Sequence, residues 1–365
     1  MQRTTPFHLQ DGWPIAGFAE ANLDPKAMAG LARWVNENHA YHNTHAVLVE
    51  SAGHLVFEVY LEGEDELFGE PLGHRAMGVD SLHDLRSVTK SVTSLLLGIA
   101  LQGNYEPTLD TPVTELFKDQ DIAFANGTDK VTLRHVLTMT AGFEWDRSTP
   151  PWPDPRNDNY QLYALTEDPV ALILSRPLVA TPGETMNYCD GLTEVLSAAV
   201  EQIVGKPINE YIKEVLFQPL GIDRFEWIGP PNWKPEGRPS AAAGLRLRAR
   251  DLAKIGSMVM HNGVWKGQQI VPAEWLRLSV QPFVLDAFHD FRGTYGYGYQ
   301  WWPGRSNSIP AYQIVAGFGL GGQQLLIIPE RQLSVTIFAG NYNRKYASQF
   351  NWVLNQVASA YRRPL

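Results

Sequence analysis

The strongest constraint on the fold is where strand-like and helix-like segments fall along the chain. β-rich runs sit near both ends. Residues 46–49 and 55–60 flank Ser51-Ala52-Gly53-His54 and read as a hairpin. Residues 324–328 and 333–339 flank Pro329-Glu330-Arg331-Gln332 and read as a second one. Aromatic-rich 295–302 reads as a strand. Most of what lies between has helical character. Val195, Leu196, Ala199, Val200 and Ile203 share one helix face, and Gly205 closes that helix. Further helices are expected around 207–217, 250–261 and 272–279. Leu133, Val136, Leu137 and Thr140 lie near helical spacing, and Gly142 can end their helix. Asp24-Pro25 is an N-cap and a first-turn proline ahead of Met28, Leu31 and Val35. Phe350, Val353, Leu354, Val357 and Tyr361 form an amphipathic C-terminal helix. This order predicts a sheet-containing lobe from residues 1–86 and 292–365, with a mostly helical lobe, 87–291, inserted between them. No internal repeat is evident.

Residues 85–100 carry the densest chemistry. Val88, Val92, Leu95, Leu96 and Ile99 make one helical stripe, and Ser87 and Lys90 lie one turn apart at its start. A helix N-terminus offers free N–H groups and a positive dipole end, so a serine there beside a buried amine has what a nucleophile needs. The same serine also suits a simple helix cap. Ser-x-x-Lys is a cheap pattern, and the rest of the chain must supply a partner and an oxyanion hole.

Composition excludes several classes. The chain has 365 residues, 44% hydrophobic and 19% charged, enough to build a large core. A net charge of −9 argues against nucleic acid or an anionic membrane as partner. A single cysteine, Cys189, allows no intramolecular disulfide. No run reaches the roughly 18 apolar residues of a membrane span, and the first residues lack a signal-peptide core, so the expected location is cytoplasmic. His39, His42 and His45 recur at metal-like spacing but run into a strand with no Cys or acidic ligand beside them, so no metal or other cofactor is expected. The proline-rich stretch 148–156 is a stiff loop, either a connector or a pocket wall with Trp145, Trp152 and Tyr160 as apolar surface. Gly317-Phe318-Gly319-Leu320-Gly321-Gly322 fits G-x-G-x-x-G, but a strand rather than a helix follows, which excludes a dinucleotide site. Its glycines instead mark close backbone approach, where a strand can present an N–H to a ligand oxygen. Gly319 and Gly321 are therefore candidate substrate-binding positions.

Taken together, Ser87-x-x-Lys90, Pro182-Gly183 before Tyr188-x-Asp190, and the glycine-rich strand near the C-terminus resemble the serine β-lactamase and penicillin-binding-protein superfamily. The likeness is to its class C-type branch of esterases, D-aminopeptidases and 6-aminohexanoate-dimer hydrolases, over roughly residues 45 to 345. Residues 85–91, 137–142 and 319–323 add supporting text. The resemblance implies an α+β fold of β-lactamase/transpeptidase type: a central antiparallel sheet flanked by helices, an inserted mostly helical lobe, and the active site between the lobes. It implies Ser87 as nucleophile, Lys90 as its amine partner, Tyr188 as the proton-exchanging phenol, and the N–H groups of Ser87 and Leu320 as the oxyanion hole. The implied activity is hydrolysis of a small ester or amide, with a D,D-peptidase, a weak β-lactamase or a non-catalytic relative as alternatives. Two positions depart from the superfamily pattern. Gly317-Phe318-Gly319 stands where a Lys-Thr-Gly or His-x-Gly motif is common, removing a cation that would meet a β-lactam carboxylate. Asp190 stands where Asn or Ser is usual. It either caps the following helix or faces Lys90, and in the second case its charge favours the ammonium form.

Overall fold

The computed structural model describes residues 2–343 and 348–361. Its centre is an eight-stranded antiparallel sheet. The spatial order is Val284–Asp290, Gly293–Tyr297, Trp302–Ser306, Ile314–Gly319, Gln323–Ile328, Leu333–Ala339, Thr44–Ser51 and His54–Tyr60. The two ends of the chain meet inside this sheet, with Val47 opposite Ile337 and Val49 opposite Val335. Every residue of Thr44–Ser51 is buried, because both faces of the sheet are covered. Val47 and Val49 join Leu326, Ile328, Val335 and Ile337 on one face, packed against the helices Pro25–His42 and Phe350–Ala360. Ala46 and Leu48 point the other way and join Leu325, Ile327 and Phe338 in the main core. That core also takes in the helices Val88–Leu101, Asp190–Val204 and Ala249–Met260. The result is an α+β architecture with a helical insertion on a central antiparallel sheet, as expected.

Local rules account for most boundaries. Asp24 accepts from the Lys26 and Ala27 N–H groups and starts the first helix. Gly205, at φ +68°, closes Asp190–Val204. Ala52 and Gly53, both at positive φ, turn the first hairpin.

Four expectations need correction. The stretch 295–302 is two strands rather than one. The Tyr299 N–H leaves the ladder to donate to Ser279 O at 2.9 Å, and the Gly298 N–H donates to Trp301 O. The sheet also begins ahead of residue 292, with Val284–Asp290. An edge strand with one neighbour, a bulge and half-exposed side chains carries little periodic signal. Gly142 does not end a helix. The helix Leu133–Leu137 stops earlier, and the Gly142 carbonyl accepts from the Val179 and Ala180 N–H groups. Ile203 lies on the helix face read as apolar but is exposed. The glycine-rich segment runs strand, turn, strand, with no helix after it. Among the described residues, no helix is long and apolar enough to cross a membrane.

Gly98 lies in the Val88–Leu101 helix where that helix crosses Trp275. A Cβ added there would sit 2.1 Å from the buried indole. Gly98→Ala is expected to lower the urea midpoint, because overpacking costs roughly 1–3 kcal/mol against about 1 kcal/mol of helix propensity gained. A raised midpoint would show that the indole moves aside freely.

Candidate active site

The segment entering the Val88–Leu101 helix is held on both sides. The Leu85 N–H donates to Leu245 O at 2.9 Å, and buried Asp84 accepts from Arg246 Nε and the Phe68 N–H, both at 2.7 Å. Arg86 then adopts φ +49°, a left-handed conformation that costs a non-glycine residue energy. Its guanidinium is tied to Glu66 at 2.6 Å. This sharp turn delivers Ser87 to the helix start, where its side chain makes no capping hydrogen bond. The hydroxyl instead accepts from Lys90 Nζ at 3.1 Å.

Lys90 is 1% exposed and fully engaged. Besides Ser87 Oγ, its Nζ meets Ala242 O at 3.0 Å and Asp190 Oδ1 at 2.8 Å. Asp190 is the first residue of its helix, whose N-cap is Cys189, and its side chain turns to Lys90 rather than capping. Tyr163 donates to its other oxygen at 3.0 Å. Burial works against the charge of both partners, and their mutual attraction outweighs it. Lys90 is therefore held above its ordinary value and Asp190 below, which makes the pair an ammonium facing a carboxylate. Burial pushes the Cys189 thiol up, away from thiolate chemistry.

Tyr188 stands on the other side of Lys90, its ring centroid 5.0 Å from Nζ. Its ring stacks on Trp302 and meets Tyr297 edge-on. The glycine-rich strand passes close behind Ser87. A Cβ on Gly319 would lie 2.4 Å from Leu85 O, so only glycine lets the two backbones approach. Gly321 has φ +90°, and a side chain there would strike the Tyr342 ring. Leu320, between them, is exposed at the cleft. Among the described residues, no backbone carbonyl takes the N–H of Ser87 or of Leu320.

These groups open into a cleft of about 1180 Å³. Ser87, Tyr188, Asp190, Gly319, Leu320, Gly321 and Trp152 all line it. Trp145 does not: it is buried in the core behind the loop. Tyr160 packs edge-on against Trp152 without reaching the cleft lining. His39, His42 and His45 do not assemble. His39 bonds within its own helix, His42 packs on Trp34, and His45 turns to His83.

Sequence reading missed two contributors. Arg147, from the loop before the prolines, lies 4.9 Å over the Tyr188 ring and brings a cation to the cleft. Glu194 sits one turn after Asp190, buried, and accepts from Ser240 Oγ and from the N–H groups of Ala241 and Ala242. Burial pushes its carboxyl up to about 7 against those bonds. Glu194 thereby fixes the loop that offers the Ala242 carbonyl to Lys90. The available signal was an acid at i+4 from Asp190, on the helix face opposite the apolar stripe.

The chain is similar to several known proteins. The 6-aminohexanoate-dimer hydrolase of Paenarthrobacter ureafaciens is 26% identical over 267 residues, a match covering 68% of this chain and 64% of that protein. This chain therefore spans less than two thirds of that relative. A family VIII carboxylesterase superposes with TM-score 0.69 at 14% identity, covering 98% of this chain and 99% of the other. EstCE1, a hydrolase with promiscuous acyltransferase activity, superposes with TM-score 0.68 at 17% identity, covering 93% and 98%. At such identities the superpositions establish the fold. The family described as Beta-lactamase matches residues 46–351. By that match the chain belongs to the Beta-lactamase family.

Proposed function

We propose that this protein is a serine hydrolase acting on a small ester or amide through an acyl-enzyme on Ser87. One observation carries the reading. The Ser87 hydroxyl accepts from a buried lysine that is itself paired with Asp190 and flanked by Tyr188. Lys90 is an ammonium and has no lone pair to take a proton. The base is therefore Tyr188, whose ring lies 5.0 Å from Lys90 Nζ. Ser87 Oγ bonds to the carbonyl carbon while its proton passes to Tyr188. The carbonyl electron pair moves onto oxygen, which the Ser87 and Leu320 N–H groups hold. Collapse expels the alcohol or amine, protonated by Tyr188, and water repeats the sequence to release the acid. Histidine is not needed, since tyrosine and lysine share its role. Trp152 and the cleft residues Phe288 and Trp302 supply apolar surface for the substrate. The three hydrolases named above are in keeping with this reaction class.

A second reading, D,D-peptidase or weak β-lactamase, gains one observation. Arg147 brings to the cleft a cation that Gly317-Phe318-Gly319 lacks. A stable penicillin adduct on Ser87 would favour it.

Intact mass after brief exposure to p-nitrophenyl acetate and butyrate is expected to show an acyl increment on wild type and none on Ser87→Ala, which should keep its fold. Equal turnover by both would sink the assignment. Tyr188→Phe is expected to lower kcat/KM by roughly 10²–10⁴-fold, the usual range for a lost acid–base group, and an unchanged value would remove Tyr188 from the reaction.

The charge pair also sets a pH dependence. Asp190, held low, contributes stability above pH 3.8 that is lost as pH falls through its folded value. Lys90, held high, contributes stability below pH 10.5 that is lost as pH rises through its folded value. Asp190→Asn should therefore cost about 3–5 kcal/mol at pH 7, the range for breaking a buried pair. The gap to wild type, read by urea unfolding, should narrow toward pH 3. A constant gap would mean the carboxylate charge is not what matters.

A further inference from the structure

A second polar cluster lies in the sheet lobe, and none of its members lines the cleft. His45 comes from the strand Thr44–Ser51, Asp65 from the strand Glu62–Leu67 and His83 from the short strand His83–Asp84. All three are buried, with 0%, 5% and 2% exposure. His45 Nδ1 lies 2.8 Å from His83 Nε2, and Asp65 Oδ1 lies 3.7 Å from the same His83 nitrogen. One ligand atom from each falls within 4.8 Å of the others.

Proton positions follow from the outer partners. His83 Nδ1 lies 3.2 Å from Asp84 O, which can only accept, so Nδ1 carries the proton. His45 Nε2 lies 3.3 Å from Asn43 Oδ1. The orientation of that amide is fixed, because Asn43 Nδ2 donates to Glu64 O at 2.8 Å and Oδ1 accepts from the Glu64 N–H at 2.9 Å. His45 Nε2 therefore carries its proton too. Each neutral imidazole has one proton, so two lone pairs face each other across 2.8 Å. Neither buried oxygen of Asp65 makes a hydrogen bond of ordinary geometry, and its nearest cation is Arg75 at 3.5 Å. An extra proton would relieve the contact, but burial opposes it at both rings, and Arg75, Arg86 and Arg246 oppose it at His83.

We propose that His45 Nδ1, His83 Nε2 and Asp65 form a binding site for one divalent transition-metal ion. Two imidazoles and a carboxylate suit such an ion, and Zn²⁺ is the natural probe. Each ring already turns its remaining N–H toward a fixed oxygen, the outer-shell arrangement that orients metal-ligating histidines. Tetrahedral ligands at ordinary zinc distances stand about 3.3 Å apart. Small side-chain rotations would open the His45–His83 contact and close the Asp65 contact to that spacing. The ion would clamp three segments, one of which runs through His83 directly into Leu85, Arg86 and Ser87. It would not touch the reacting atoms, so this inference is independent of the proposed hydrolysis.

The test uses the full chain, stripped with a chelator and then titrated with Zn²⁺ or Co²⁺. One equivalent is expected to bind, with visible Co²⁺ bands of a low-symmetry site and a thermal midpoint several degrees higher with Zn²⁺ than with chelator. Asp65→Asn and His83→Gln should abolish all three signals, while Glu64→Gln, at the exposed pair Glu64–His74, should leave them unchanged. Stripped wild type that takes up no stoichiometric Zn²⁺ would overturn the proposal, leaving a hydrogen-bonded histidine pair. Stoichiometric binding that persists in both ligand variants would also overturn it, as an adventitious ion only. Should the ligand variants fail to fold, wild-type stoichiometry and the Co²⁺ spectrum decide.

Discussion

The buried charge of Lys90 organises the helical part of this molecule. An ammonium out of water costs several kcal/mol unless every donor direction finds a partner. Here the partners are Ser87 Oγ, Ala242 O and Asp190 Oδ1. They come from three separate stretches of chain. The helix Val88–Leu101 must lie against the N-terminus of Asp190–Val204, and the loop at 240–243 must fold over both. Glu194 anchors that loop by taking two successive N–H groups and a serine hydroxyl. One carboxylate thus sets the charge of the lysine, and a second sets the position of its carbonyl partner.

A second constraint is the closure of the sheet. The first strand of the chain pairs with the strand Leu333–Ala339, so the roughly 220 residues between Tyr60 and Val284 must leave the sheet before the chain returns to it in register. The return is fixed by the alternation of side chains, since a one-residue slip would exchange the two apolar faces. Both faces are buried, so that exchange would set mismatched cores against each other. The glycine-rich strand can then pass Leu85 closely enough to place Leu320 beside the Ser87 turn, because Gly319 carries no side chain.

Legibility followed locality. Helices with long apolar stripes, such as 88–101 and 190–204, were readable because their apolar residues keep a 3.6-residue period, although both helices are buried nearly all round. Both outer hairpins were readable from their turn residues. The edge strand Val284–Asp290 was not, since it pairs on one side only and keeps half-exposed side chains. The split of 295–302 was hidden because the residue that breaks the ladder, Tyr299, is aromatic like its neighbours, and the break comes from Ser279, distant in sequence. Trp145 and Trp152 are equally aromatic and only seven residues apart, yet one is core and the other lines the cleft.

By itself the sequence determined which residue types were available: a serine and a lysine one turn apart, a tyrosine two residues before an aspartate, and glycines where a strand needs close approach. Helix period and glycine conformation are local physics, written within a few residues. Tertiary structure alone decided that Asp190 faces Lys90 instead of capping its helix, that Arg147 reaches the cleft, and that His45 meets His83 and Asp65 rather than His39 and His42. Each is a contact between distant segments, set by burial and charge in the packed interior. No spacing along the chain encodes such a contact.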